Sequence, residues 1–132
     1  LLPNYTREFL FTEMNFHEPQ ILRVQRAVRN ERFKLLLNLA PAPDQAPVEL
    51  FDLRADPGET KNLAGEPTCA DVRRQLEAAL QTWREKTDDP TLDAARVRRW
   101  QEAAVRWGQL PKIKAGPSMV VRIPAGELDL LK

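Results

Sequence analysis

The sequence predicts an α+β fold, in which a four-stranded antiparallel sheet is packed by a C-terminal helix and followed by a second helix and an extended arm. Three observations predict it. Short segments of alternating polarity fill the first half of the chain, turn-forming residues separate them, and helical periodicity begins only after Pro67. Successive strands joined by short links favour antiparallel pairing. With 132 residues, 42% of them hydrophobic, the chain is long enough to bury one core.

The predicted strands alternate in polarity and are bounded by residues that favour turns. In the first strand Phe9 and Phe11 share a face, and in the third Leu35 and Leu37 do so. Asn30 and Glu31 are expected to form a hairpin turn, because asparagine tolerates a positive φ. The four strands are predicted at residues 8–14, 24–29, 32–39 and 48–53.

Two segments between and after these strands predict irregular structure. Residues 41–47 contain three prolines, which remove amide donors from any strand ladder, so a surface loop is expected there. Asp56, Pro57 and Gly58 predict a turn, since proline presets φ at a turn position and glycine relieves strain.

A first helix is predicted over residues 68–87. Thr68 can serve as its N-cap, with Asp71 three residues later in the acidic position of a capping box. Residues 88–90, Asp-Asp-Pro, are expected to end it. An apolar stripe that faces the sheet is formed by residues at spacings of three and four: Val72, Leu76, Ala79, Leu80 and Trp83.

The remainder of the chain predicts a second helix and an extended arm. The helix is expected from about Leu92 to Trp107, with Gly108 suited to end it. Its apolar positions align on one side: Val97, Trp100, Ala104 and Trp107. Residues 110–132 contain three prolines and two glycines among short apolar runs, which is typical of an extended arm. We therefore divide the chain into residues 1–91, the sheet and its helix, and residues 92–132.

Composition excludes several functional classes. Lys and Arg total 20 against 19 Asp and Glu, so the net charge of +1 gives no general attraction to nucleic acid. No apolar run is long enough for a transmembrane segment. A single cysteine, Cys69, excludes an internal disulfide framework. Because the chain starts without Met, we expect it to be a piece of a longer protein.

Five blocks in a fixed order carry a family resemblance. The first is Phe11-Thr-Glu-Met-Asn-Phe-His-Glu18, and the others, in chain order, are the basic segment Arg26 to Asn38, Glu49-Leu-Phe-Asp-Leu53, Asp56-Pro-Gly-Glu-Thr-Lys-Asn-Leu-Ala64, and a helix ending at Trp83 with Asp89-Pro90 behind it. Together they resemble the C-terminal subdomain of the sulfatases, in the alkaline-phosphatase superfamily, with the closest likeness to the heparan N-sulfatases, or N-sulfoglucosamine sulfohydrolases. The resemblance covers residues 8–91. It departs from the family at Val24, where many members have proline.

The resemblance implies what the parent protein does. Sulfatases convert a Cys or Ser in a Cys/Ser-x-Pro-x-Arg motif to formylglycine, whose hydrate attacks sulfur while a calcium ion held by Asp and Asn side chains steadies the sulfate oxygens. Cys69 does not match that motif, since Asp71 stands where proline is required. We therefore expect the formylglycine and the calcium to lie in the N-terminal part of the parent, with no catalytic or metal-binding residue and no cofactor in this chain.

The parent is accordingly expected to be a hydrolase that removes sulfate from a sulfated sugar of the N-sulfoglucosamine type. Its N-terminal catalytic domain would be the partner of this chain, which supports the fold and the substrate pocket, and the isolated 132 residues would be inactive. A docking partner implies a bare apolar patch on this chain. The resemblance allows a periplasmic or secreted parent but does not fix the compartment.

Three residues are assigned to substrate binding by this resemblance. His17 and Glu18 belong to a segment that, in the resembling sulfatases, faces the active-site pocket, where histidine could donate to a sulfate or hydroxyl oxygen. The alternative is a histidine that closes a turn or packs on Phe16. Arg26 could bind a sulfate or carboxylate through its guanidinium fork, or could lie on a solvated strand face in an ion pair with Glu31 or Glu49.

Other distinctive residues favour structural roles. In the block 56–64, Asp56 and Asn62 are expected to bond backbone amides, Leu63 to enter the core, and Glu59 to pair with an arginine. Cys69 is expected to be an inert small residue. For Arg29 and Arg32 a solvated strand face is favoured. The alternative to the enzyme hypothesis is a non-catalytic module, derived from a sulfatase, that binds acidic glycans or serves assembly.

Overall fold

The computed structural model describes residues 7–15, 24–41, 44–110, 112–115, 118–121, 126 and 129. Its regular elements are, in chain order, β1 (Leu10–Met14), β2 (Gln25–Arg29), β3 (Phe33–Asn38), β4 (Val48–Asp52), α1 (Ala70–Lys86), α2 (Ala94–Gly108), β5 (Lys112–Ala115) and β6 (Ser118–Val121). Short 3-10 turns precede each helix, at Pro67–Cys69 and Pro90–Leu92.

The first four strands form one antiparallel sheet in the order β1-β2-β3-β4. Asn30 closes the β2–β3 hairpin, since its Oδ1 accepts hydrogen bonds from the amides of Arg32 and Phe33. The pairing register aligns Val28, Leu35 and Leu50 in one row across three strands. Since side chains alternate along a strand, this row and its neighbours on the same face form one wall of the core.

Helix α1 supplies the other wall. Leu76 and Leu80 are buried against the row of Val28, Leu35 and Leu50, and the rest of the predicted stripe packs around them. At the β1 edge Phe11 and Trp83 stack with parallel rings whose centroids lie 5.2 Å apart. The α+β fold class is therefore confirmed, with the sheet packed by the helix that follows it.

Helix α1 begins later in the sequence than predicted. Thr68 was predicted as the cap, but the helix begins at Ala70 and Cys69 occupies the N-cap position without a side-chain hydrogen bond. The prediction is wrong because residues 67–69 form a 3-10 turn first, in which Pro67 fixes the entry angle. At the other end the helix stops at Lys86, and the next two residues turn the chain, with Asp88 at a φ of 49°.

The C-terminal region contains more regular structure than an extended arm. Helix α2 starts two residues later than predicted, because the side chain of Asp93 caps it through the amides of Ala95 and Arg96. Strands β5 and β6 then pair as an antiparallel hairpin, which the prediction lacked. The apolar run at residues 119–121 forms part of β6, whose backbone groups on the β5 side pair with that strand. The division at residue 91 stays a prediction. Within the described residues no helix has the length and apolarity to cross a bilayer.

Candidate functional site

The three predicted substrate-binding residues follow β1 in sequence: His17 and Glu18 come before β2, and Arg26 lies in it. His17 and Glu18 fall in residues 16–23, outside the described residues, so their role stays a prediction. Arg26 is the second residue of β2 and points into the core side of the sheet, opposite Leu37 of β3. The candidate site is therefore built from Arg26 outward.

Arg26 is completely buried and bonded on every side of its guanidinium. Its Nε donates to Oδ2 of Asp89 at 2.7 Å and its Nη2 donates to Oδ1 of the same carboxylate at 2.8 Å. Its Nη1 donates to the backbone carbonyls of Gln25, at 2.8 Å, and Met14, at 3.4 Å. The carboxylate of Glu13 lies 3.9 Å from Nη2. This is a bidentate pair, the strongest geometry that arginine forms with a carboxylate.

Asp89 is buried as deeply as its partner and has further donors. Nε of Arg84, in the last turn of α1, donates to its Oδ2 at 3.1 Å, while the amide and hydroxyl of Thr91 both donate to its Oδ1, at 2.9 and 2.7 Å. Burial raises the pKa of the Asp89 carboxyl, but the hydrogen bonds from Arg26 and Thr91 outweigh it and hold that pKa well below its ordinary value. The carboxylate is therefore charged at neutral pH.

The local sequence explains how Asp89 reaches this position. Asp88 adopts the left-handed backbone conformation and reverses the chain after α1. Pro90 then fixes φ at the start of a short turn, in which the Asp89 side chain caps the amide of Thr91. Arg84 is four residues beyond Leu80 and so lies on the same buried stripe of α1, where its Nη2 also bonds the carbonyl of Thr91 at 3.0 Å.

This arrangement, which we call the Arg26–Asp89 network, consists of Arg26, Arg84, Asp89 and Thr91. It joins the end of β1, the start of β2, the end of α1 and the turn before α2. The predicted ion pair of Arg26 with Glu31 or Glu49 is wrong, because the fork is occupied by a carboxylate 63 residues away in sequence. Direct substrate binding by Arg26 stays a prediction, and its guanidinium has no exposed surface in this structure.

Arg29 and Arg32 lie at the opposite end of the sheet. Arg29 is exposed and its Nε donates to the carbonyl of Asn30 at 3.4 Å. Arg32 forms a 2.7 Å ion pair with Asp52 and covers the ring of Phe33. These positions fit the structural interpretation given to both residues.

The Arg32–Asp52 pair makes stability depend on pH. The hydrogen bond from Arg32, helped by the amides of Ala55 and Arg54, lowers the pKa of Asp52 to about 2. A folded-state pKa below the unfolded value means that this stabilisation is present above about pH 4 and is lost as the pH falls through about 2. Urea unfolding of Asp52→Asn should therefore show a weaker loss of stability between pH 4 and pH 2 than the wild type shows. Equal losses in the two proteins would contradict the assignment.

The block 56–64 covers the outer edge of β4. Oδ1 of Asn62 accepts the amide of Leu50 at 2.9 Å and that of Ala64, and the amide of Leu63 donates to the carbonyl of Leu50 at 2.7 Å. Oδ2 of Asp56 accepts the amides of Thr60 and Lys61. The structural role predicted for Asp56 and Asn62 is confirmed, and the block supplies hydrogen-bond partners to the outer edge of β4.

Asn62→Ala should lower the free energy of unfolding by about 1–3 kcal/mol, because the buried amide of Leu50 loses its acceptor. Denaturant unfolding measures the change. Lys61→Ala is the matched control, since Lys61 is exposed and contributes its backbone amide to the turn. An Asn62→Ala protein as stable as the control would contradict the edge-covering role.

Glu59 pairs with lysine and not with the predicted arginine. Nζ of Lys34 lies 2.9 Å from both carboxylate oxygens. The backbone at Glu59 has a φ of 53°, and its carboxylate lies beside the side chain of Lys34 of β3.

The described residues offer no place for the cofactors of the resembling family. No group of three or more His, Cys, Asp and Glu side chains among them could hold a metal ion. Asp89, the most buried carboxylate, has its oxygens occupied by arginine and threonine donors. Cys69 is half-buried against the core cluster, as expected of a small packing residue. A calcium ion and a formylglycine do not fit these residues.

Apolar side chains remain accessible along strand β1, which is an edge of the sheet. Leu10 and Met14 are exposed on the face away from α1. On the α1 side a groove of about 420 Å³ is lined by Phe9, Phe11, Ala78, Ala79, Thr82, Trp83 and Lys86. We call Phe9, Leu10, Phe11, Met14 and Trp83, which lie on the two faces of this edge strand and on the adjoining side of α1, the β1-edge surface. Accessible apolar side chains around a sheet edge are typical of a contact with another protein surface.

Sequence reasoning missed three members of the network. Asp89 was predicted only to end α1, and Arg84 and Thr91 were given no role. A signal was present for each: Arg84 continues the buried spacing of Leu76 and Leu80, and Asp89-Pro-Thr has the pattern of a capped turn.

Comparisons with known proteins agree with this fold. Residues 3–86 match the family model described as "N-sulphoglucosamine sulphohydrolase, C-terminal". The chain is 37% identical over 94 residues to the uncharacterized sulfatase YidJ of Escherichia coli (strain K12), an alignment that covers 68% of this chain and 18% of that protein.

Solved structures show the same fold. A putative sulfatase from Bacteroides thetaiotaomicron VPI-5482 is similar at 24% identity, with a TM-score of 0.55 over 65% of this chain and 18% of that one. BT4656, solved in complex with its substrate D-glucosamine-2-N,6-O-disulfate, is similar at 23% identity, with a TM-score of 0.55 over 69% of this chain and 18% of that one.

The family match spans the whole sheet and all of α1, and the chain covers about a fifth of the length of the relatives it matches. Five sequence blocks, the antiparallel sheet and the packing of α1 on it therefore lead to one conclusion: this chain belongs to the N-sulphoglucosamine sulphohydrolase C-terminal family, the C-terminal domain of sulfatases.

Proposed function

We propose that this chain is the C-terminal portion of a sulfatase that hydrolyses sulfate from a sulfated sugar of the N-sulfoglucosamine type. The match of residues 3–86 to the C-terminal family model is the observation that carries the proposal. The relatives are about five times longer than the alignment, which leaves room in a parent for a separate catalytic domain. The chain then supplies fold support and part of the substrate pocket.

The catalytic nucleophile and the metal belong to the N-terminal domain of that parent. A formylglycine there would supply the attacking oxygen, and calcium would polarise the sulfate. Among the described residues no group of His, Cys, Asp and Glu side chains could hold calcium, and we propose that the isolated 132 residues hydrolyse no sulfate ester or sulfamate. Their contribution is to hold His17 and Glu18, which we propose as substrate-contacting residues.

The β1-edge surface is the proposed contact with the N-terminal domain. Phe9, Phe11 and Trp83 line an apolar groove on the α1 side of β1, and Leu10 and Met14 add exposed apolar area on its other face. Burying such area against the preceding part of the same polypeptide removes it from water. The greater length of the relatives makes that part the occupant we propose.

The substrate proposal rests on two observations about related proteins. The matched family is described by N-sulphoglucosamine sulphohydrolase, and BT4656 was solved with a glucosamine that carries both N- and 6-O-sulfate. An N-sulfated glucosamine is the substrate class common to both.

Sulfate release by the full-length parent tests this function. The parent should release sulfate from N-sulfoglucosamine and should lose that activity in excess chelator. Glucosamine 6-sulfate is tested beside it, because an enzyme specific for 6-O-sulfate would release sulfate from this compound instead. The isolated chain is the control and should release none from either. Release from the 6-sulfate alone would overturn the N-sulfoglucosamine assignment, and no release from any sulfated sugar in the presence of calcium would overturn the enzyme proposal.

The alternative is a non-catalytic module that binds acidic glycans. Binding an acidic glycan needs positive charge that is not already paired. In α1, Arg73 pairs with Glu77 and Arg74 pairs with Asp71, which argues against this alternative. Heparin binding by the isolated chain at low salt, weakened by added salt, would support the module. Binding of basic side chains to a polyanion releases its counterions, so the affinity falls as the salt concentration rises. Absence of binding would exclude it.

A further inference from the structure

We propose that Arg26 acts in the sulfatase as a positioning residue, which fixes the two strand ends that flank His17 and Glu18 in sequence, and does not itself contact the substrate. Asp89, held by Arg84 and Thr91, sets the orientation of Arg26. The inference rests on the proposed function, because it is the substrate contacts of His17 and Glu18 that the positioning would serve.

The hydrogen bonds of Arg26 determine which parts of the chain it holds. Nη1 bonds the carbonyl of Met14, the last residue of β1, and the carbonyl of Gln25, the first residue of β2. The sequence between these two carbonyls is the one that contains His17 and Glu18. One guanidinium therefore ties together the points at which that sequence leaves and re-enters the sheet.

The opposite side of the guanidinium is anchored to the C-terminal half of the domain. Nε and Nη2 form the bidentate pair with Asp89, and Asp89 is itself fixed by Arg84 and by two donors of Thr91. The hydrogen bonds thus connect the two strand ends to the end of α1 and to the turn that follows it. An arginine is required because its planar fork presents five donors in fixed directions, whereas lysine concentrates its charge on one freely rotating group.

Burial separates this role from direct recognition. The side chain of Arg26 is 0% exposed and that of Asp89 is 1% exposed. A sulfate would have to displace a bidentate carboxylate in order to reach the fork, and breaking a buried pair is strongly unfavourable. An effect of Arg26 on substrate therefore passes through the chain that it holds.

A double-mutant cycle in the full-length parent tests whether Arg26 affects catalysis through His17. Arg26→Lys should reduce kcat/KM about tenfold, which corresponds to the loss of roughly 1.4 kcal/mol of transition-state stabilisation. In a His17→Ala background the same substitution should cost less than about twofold, since residues that act through one another are not additive. Equal losses in both backgrounds would show that Arg26 acts independently of His17 and would overturn the proposal.

Thr91→Val provides a milder variant that keeps the Arg26–Asp89 pair. It removes the 2.7 Å bond from the Thr91 hydroxyl to Asp89 and should reduce kcat/KM in the same direction by a smaller factor. The rates are expressed per folded molecule, so a purely structural role would leave them unchanged. Asp88→Asn, at an exposed neighbouring position outside the network, is the matched control and should leave kcat/KM at the wild-type value.

Limited trypsin digestion of the 132-residue chain tests the positioning separately from the chemistry. Arg23 lies between the two tethered strand ends in sequence, and Arg54 is an exposed site at the other end of the sheet. Arg26→Lys should raise the ratio of cleavage after Arg23 to cleavage after Arg54 by about threefold or more, because local opening is independent of global unfolding. An unchanged ratio would overturn the positioning role. If His17→Ala leaves kcat/KM unchanged while the ratio rises, the positioning stands and the substrate contact of His17 fails.

Discussion

Asp89→Asn is expected to destabilise the domain by about 3–5 kcal/mol, the effect of removing one partner from a buried ion pair. Two arginines face this carboxylate, Arg26 with two hydrogen bonds and Arg84 with one. Asparagine would fill the same volume but leave both positive charges in the core without their buried counterion. The amide would also present a donor to a position that is surrounded by donors.

Equilibrium unfolding in urea at pH 7 measures this loss. Asp88→Asn is the matched control, because the neighbouring aspartate is exposed and asparagine tolerates its φ of 49°. The control should stay within about 0.5 kcal/mol of the wild type. If Asp89→Asn were as mild as Asp88→Asn, the Arg26–Asp89 network would not stabilise the fold.

Leu76→Ala is expected to lower the free energy of unfolding by about 2–5 kcal/mol, the range for truncating a buried leucine and leaving a cavity. Leu76 is fully buried between α1 and the sheet, where it belongs to the cluster with Val28, Leu35 and Leu50. The strands on one side and the helix on the other limit how far the cavity can collapse. The effect should therefore lie well above that of a surface change.

The same urea titration tests Leu76→Ala beside Val105→Ala, a truncation on α2 at a side chain that is 64% exposed. The control should change the free energy of unfolding by less than about 0.5 kcal/mol. Similar small losses in both variants would mean that α1 does not form the second wall of the core. Far-UV circular dichroism of each variant shows whether the helices persist before the titration starts.

Two kinds of contact hold α1 to the sheet. The substitution at Leu76 tests the apolar packing of α1 on the sheet. The substitution at Asp89 tests the polar network that fixes the end of α1 and the following turn to β1 and β2. In the full-length sulfatase that we propose as the parent, loss of packing should lower the amount of folded enzyme. Weakening the network should in addition change kcat/KM of the enzyme that remains folded.

Local patterns in the sequence determined the elements of this domain. Alternation in residues 24–39 and 48–53 identified β2, β3 and β4, because a strand with one buried face must repeat every second residue. Spacings of three and four identified the stripe of α1. Asp56 and Asn62 indicated a bonded turn, since their short polar side chains reach the amides of Thr60 and Ala64. The family blocks identified the domain of a sulfatase.

The tertiary structure alone decided the partners of the charged residues. Arg26 and Asp89 are 63 residues apart, and periodicity carries no information about which distant carboxylate enters a given fork. Glu59 was assigned to an arginine and pairs with Lys34, which is 25 residues away in sequence. The start of α1 moved from Thr68 to Ala70 because a 3-10 turn comes first. Packing geometry is a property of the folded chain as a whole, so these contacts follow only when the sheet, the helix and the turn after it are in place.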